Sequence, residues 1–144
     1  MYVFLDFDGV LRRLSSDPSR FDSDCLACFE AAVRPLPDIK VVISSTWRLV
    51  KSLKELQGMF SAEISGLIVG ATPEHFSQSA HTRYDEIMAY MKTHNLHNEG
   101  WLAIDDDPDH FPSHAPLLLT SPDVGFDQSC TMKLWEYAAK EMGE

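Results

Sequence analysis

Five short apolar runs recur along the chain, and each breaks off at polar or small residues before a stretch with helical periodicity. They are Tyr2–Leu5, Ile39–Ser44, Leu67–Gly70, Trp101–Ile104 and Leu117–Thr120. The second is β-branched through Val41, Val42 and Ile43, which suits a strand. Between the runs, helices are expected from Ser23 or Asp24 to about Val33, from the Ser45–Thr46 region to about Gln57, from His81 or Thr82 onward, and from Asp127 or Ser129 to about Lys140. Leu26, Phe29, Ala32 and Val33 form the apolar face of the first, Tyr84, Ile87, Met88 and Met91 that of the third, and Met132, Leu134, Trp135 and Ala138 that of the last. Strands that alternate with helices build a parallel sheet covered on both faces, which is why its strands can be apolar throughout.

Open sheets of this kind bind ligands beyond the carboxyl ends of their strands. Three of those ends carry chemistry. The first run drives into Asp6-Phe7-Asp8-Gly9. Residues i and i+2 of a strand share a face, so Asp6 and Asp8 should lie close together. Two unit charges ~4 Å apart repel by about 4 kcal/mol at an effective dielectric of ~20, so a cation between them is the simplest remedy. An ordinary Asp-Gly turn is the competing explanation. The fourth run ends in Asp105-Asp106-Asp107, where the same repulsion again favours a bound cation over a solvated turn.

The second run ends in Ser44-Ser45-Thr46-Trp47-Arg48. Hydroxyls at a helix entry can hold an anion, or can simply cap the helix. Arg48 could add a charged fork. Arg83 stands in the first turn of the third expected helix, where the helix dipole gives a cation nothing, so an anion there is one explanation and an exposed surface arginine the other. The irregular segment from Glu74 to Thr82 holds His75 and His81, and either folds over the site or is plain loop. Residues 12–22 are a loop.

The 144 residues fit one domain over 1–144 with a full core. A net charge of −10 argues against non-specific nucleic-acid binding but not against a metal-bridged phosphate ester. No apolar run approaches the roughly 18 residues that span a bilayer, and the acids at Asp6 and Asp8 interrupt the first run, so a cytoplasmic protein without a signal peptide is expected. Three cysteines suggest reduced thiols; Cys25 and Cys28, at i and i+3, are expected to pack in the core rather than to hold zinc.

Taken in order, Asp6-Phe7-Asp8-Gly9-Val10-Leu11, Val42-Ile43-Ser44-Ser45-Thr46-Trp47-Arg48, Arg83 with Glu86-Ile87, and Ile104-Asp105-Asp106 resemble the motifs of the haloacid dehalogenase-like (HAD) superfamily of phosphohydrolases. The Ser-Ser-Thr-Trp-Arg form is similar to the small HAD domains of Swiss-army-knife RNA repair proteins. The resemblance implies a three-layer Rossmann-like sheet of order 3-2-1-4-5 and a magnesium-dependent phosphomonoester hydrolase acting through an aspartyl-phosphate. Asp6 would be the nucleophile and Asp8 the general acid and base. Asp6, the Asp8 carbonyl and Asp106 would bind Mg2+, with Asp105 behind them. Ser44, or Ser45 as second choice, would hydrogen-bond the phosphoryl group. The superfamily's usual lysine is missing; Lys92 lies too far along its helix, and Arg83 is the substitute, with Arg48 a possible aid.

No insertion large enough for a lid follows the first or third strand, so the fold is expected to be capless and the site open to a large substrate, such as a nucleic-acid end or a phosphoprotein. A degenerate phosphate-binding domain, motivated by the missing lysine, and a receiver-like phosphoacceptor are the alternatives. The latter would carry its accepting acid after the third strand, where this chain has Gly70-Ala71-Thr72.

Overall fold

A computed structural model describes residues 1–75 and 79–143. Five parallel strands, β1 (Tyr2–Leu5), β2 (Lys40–Ile43), β3 (Ile68–Ala71), β4 (Trp101–Asp105) and β5 (Leu117–Leu119), form one sheet of order β3-β2-β1-β4-β5. The helices are α1 (Ser23–Val33), α2 (Leu53–Gln57), α3 (Ala62–Ser65), α4 (Thr82–Thr93) and α5 (Gln128–Glu141). The architecture is the Rossmann-like α/β sheet expected from the sequence. No helix among the described residues is long and apolar enough to cross a membrane.

The two-residue period of the strands divides the interior. Val3, Leu5, Val41, Ile43, Leu102 and Ile104 face one core, with Phe29 of α1, Leu56 of α2, Ile64 of α3 and Leu134 of α5. Phe4, Val42 and Ala103 face the other, with Ile87, Tyr90 and Met91 of α4. Phe4 is fully buried, edge-on to both Tyr90 and Trp101 at 5.7 and 5.8 Å. Burying such a side chain is worth roughly 1.5–3 kcal/mol.

Several local expectations are corrected. The helix expected up to Gln57 is interrupted: Thr46–Leu49 is a 3-10 turn, and α2 starts afresh at Ser52. There Ser52 and Glu55 form a reciprocal capping box, with bonds of 3.1 and 2.9 Å. Helix α3, a single turn over Ala62–Ser65, adds an element that the sequence periodicity does not predict. On α5 the buried seam is Cys130, Leu134 and Ala138, four residues apart, whereas Met132 and Trp135 lie off it and are exposed. Trp135 still satisfies its indole by donating to the Ala32 carbonyl at 2.8 Å. On α4, Tyr90 joins Ile87 and Met91 as a buried residue, while Tyr84 and Met88 are only half-buried. The three cysteines are free; burial of Cys25 and Cys130 pushes both thiols up. Of the segment 74–82, residues 76–78 fall outside the described part of the chain.

Candidate active site

The strand ends fall in register. Leu5 lies opposite Ile43 on one side and Ile104 on the other. Backbone bonds carry the ladder one step further: Asp6 N–H donates to the Ile104 carbonyl at 3.0 Å and Ser44 N–H to the Leu5 carbonyl at 2.8 Å. Asp6, Ser44 and Asp105 therefore each follow one row of the sheet. By strand parity they fall on the side of Phe4, Val42 and Ala103, which is the α4 side.

Arg83 enters from the first turn of α4. Its Nη2 lies 3.6 Å from Asp6 Oδ1 and its Nε 3.8 Å from Asp105 Oδ2. These are ion-pair distances, too long for hydrogen bonds. Asp6 and Asp105 are buried to 3 % and 2 % exposure. Burial, and then the Asp105 charge, push the Asp6 carboxyl well up, with Arg83 opposing. Burial likewise pushes Asp105 up to about 7 against the pull of Arg83. One arginine does not neutralise this cluster.

Carboxylate oxygens of Asp6, Asp105 and Asp106 lie within 4.8 Å of one another. Asp105, expected to stand behind Asp6 and Asp106, offers an oxygen to the same group. Gly9 shapes the same space: its φ is +80°, and a Cβ there would collide with the Asp106 carboxylate. Its carbonyl accepts a bond from Thr120 Oγ1 at 2.8 Å.

The Asp8 carboxylate is not one of these three. The chain has already left the strand at Asp6, and Asp8 turns toward Arg12 Nε at 2.9 Å and Trp47 Nε1 at 3.2 Å. Asp6 and Asp8 therefore do not share a strand face, because β1 ends at Leu5.

Among the described residues, Asp6 Oδ1, Ser44 Oγ and Arg83 Nη1 are buried without a hydrogen-bond partner. Buried polar atoms are nearly always satisfied. An acceptor, a hydroxyl and a guanidinium donor left open beside three carboxylates suit a hard cation and an anion together. An all-oxygen donor set fits a hard divalent cation of the magnesium, calcium or manganese kind rather than zinc or copper.

Ser45 and Arg48 have other duties. Ser45 Oγ accepts the Trp47 N–H at 3.3 Å and so caps the 3-10 turn. Arg48 donates to the carbonyls of Thr72 (2.7 Å), Ser45 (2.9 Å) and Pro73 (3.4 Å), and to Glu86 Oε2 at 2.7 Å. The expected anion fork is thus occupied by the protein itself, tying the ends of β2 and β3 to α4. Arg48 and Arg83 nonetheless border one cavity of about 240 Å³, with Thr46, His75 and His110. His81 holds the N-cap position of α4, and its Nδ1 lies 3.3 Å from the Asp109 carbonyl.

The sheet order, with acids at the tips of β1 and β4, is that of a haloacid dehalogenase-like domain. Residues 2–130 match the family described as the HAD domain in Swiss Army Knife RNA repair proteins, and the chain belongs to that family. No curated protein and no solved structure matches it.

Proposed function

We propose that this protein is a magnesium-dependent phosphomonoester hydrolase that works through a phosphorylated Asp6. The observation that carries the reading is the set of three converging carboxylates beside an unpartnered Ser44 hydroxyl and the Arg83 guanidinium. Asp6, Asp105 and Asp106 would hold the magnesium ion, joined by the Asp8 carbonyl. Bound there, the ion would offset the clustered negative charge and polarise a phosphoryl oxygen.

The chain's own groups account for the rest. An Asp6 oxygen attacks phosphorus, forming an acyl phosphate as the ester bond breaks. The Ser44 O–H and the Arg83 N–H groups donate to the phosphoryl oxygens, replacing the contacts they lack in the free protein. Arg83 carries the charge usually supplied by a lysine and adds a planar fork. Asp8 protonates the departing oxygen, then takes a proton from the water that hydrolyses the acyl phosphate.

Among the described residues no helix or strand is inserted between β1 and α1 or between β3 and α4. That openness favours a large substrate such as a nucleic-acid end, as does the family. With a net charge of −10, such a substrate would be held through its end rather than along a basic track.

Phosphate release from an aryl phosphate tests the reading. Turnover should require magnesium and vanish in Asp6→Asn. Phosphate binding without turnover in the wild type would favour the degenerate alternative; stable labelling without turnover would favour a phosphoacceptor.

A further inference from the structure

The bonds around Asp8 exceed what a turn requires. Arg12 Nε–H donates to Oδ1 at 2.9 Å, and Trp47 Nε1–H stands 3.2 Å from both Oδ1 and Oδ2. Each donor is anchored independently of Asp8. Arg12 is 9 % exposed in its side chain, and its Nη1 donates to the carbonyls of Arg13 and Ser16 at 3.0 and 3.2 Å. The Trp47 ring stacks on Phe21 at 5.6 Å and meets Phe7 edge-on at 5.5 Å. Asp8, in contrast, keeps 34 % of its side-chain surface open. A carboxylate fixed from one side and open on the other can be aimed at a bound molecule.

We propose that Arg12 and Trp47 are positioning residues for Asp8, fixing its carboxylate by two N–H groups on one side while the other side stays open. The proposal rests on the phosphatase reading above. In the first step a proton passes from Asp8 to the ester oxygen, while the ester P–O bond breaks and an Asp6 oxygen bonds to phosphorus. In the second, water oxygen bonds to phosphorus, the Asp6 O–P bond breaks, and a water proton returns to Asp8. The net change is ester plus water to alcohol plus phosphate.

The test compares two substrates that differ in their need for a proton. Nitrophenolate leaves p-nitrophenyl phosphate unaided, whereas the alkoxide of benzyl phosphate does not. Trp47→Phe keeps a ring against Phe21 and Phe7 but removes the indole N–H. Its kcat/KM, which reports steps up to ester cleavage, should fall about 30–100-fold for benzyl phosphate and under about threefold for p-nitrophenyl phosphate. Inhibition by inorganic phosphate should stay unchanged. Arg12→Gln should show the same split and carries the comparison if Trp47→Phe does not fold. Equal losses on both substrates, or no loss on either, would overturn the proposal while leaving the phosphatase reading intact. A folded wild type that cleaves neither substrate with magnesium would overturn both.

Discussion

Ser44 and Ser45 are neighbours in the chain but differ in what remains open on each. Ser45 Oγ accepts the Trp47 N–H, while Ser44 Oγ is buried with no partner. Ser44→Ala should therefore lower kcat by about 10–100-fold with little change in melting temperature. Ser45→Ala should do the reverse, costing about 1 kcal/mol of stability with kcat within about threefold. Steady-state kinetics and thermal melts on the two variants check this pair of outcomes. Arg83→Ala should reduce kcat by about 10²–10³-fold, and Arg83→Lys should recover part of it, since a lysine keeps the charge and loses the fork. Asp6, Ser44 and Arg83 were all legible in the sequence because a strand end or helix start fixes where each points. The roles of Arg12 and Trp47 were not, because Arg12 sits in a polar loop and meets Asp8 only through the tight turn at Gly9. One local signal for that turn existed: Asp8 and Arg12 are opposite charges four residues apart.

Among the elements, α4 depends on a buried ion pair to hold its first turns against the sheet. Arg48 and Glu86 are 5 % and 7 % exposed in their side chains, and Arg48 also closes the carbonyls of Thr72 and Pro73. Removing one partner of such a pair costs about 3–5 kcal/mol because the other charge stays buried. Glu86→Ala should lower the melting temperature by roughly 10 °C. A double Arg48→Met/Glu86→Leu variant should regain a good part of that loss, as differential scanning calorimetry would register. In the sequence Arg48 reads as an anion fork because it follows a strand end, and nothing local shows which acid reaches it first. Glu86 lies 38 positions away in the chain, and only the packing of α4 brings it in. The break before α2 was more accessible: Ser52-Leu53-Lys54-Glu55 already carries the Ser and Glu of a capping box at the right spacing.

For the molecule as a whole, the acid cluster links stability to pH and, under the proposed function, to metal. Burial raises the folded-state values of Asp6 and Asp105, the latter to about 7, above the ordinary carboxylate range near 4. A raised acid binds its proton more tightly in the folded state than in the unfolded one. Its contribution is therefore fully present below about pH 4 and is lost as pH rises toward about 7. Metal-free wild type should lose stability relative to Asp105→Asn across that window, by roughly 5–10 °C in melting temperature at the upper end. Magnesium should reverse the loss most strongly at neutral pH, where its carboxylate ligands are ionised. Melts of both proteins at several pH values, with chelator and with magnesium, measure this directly. The parallel sheet was legible because strands and helices alternate along the chain, although the short helix α3 was not, and the parity of β1, β2 and β4 brings their end residues to one side. Those ends are clamped by main-chain bonds, from Asp6 to Ile104 and from Ser44 to Leu5. Main-chain clamps are indifferent to the side chains of the connections that follow. The rim around the cluster is thus free to be recast, by graft or by drift, for a different cargo while the reacting groups keep their places.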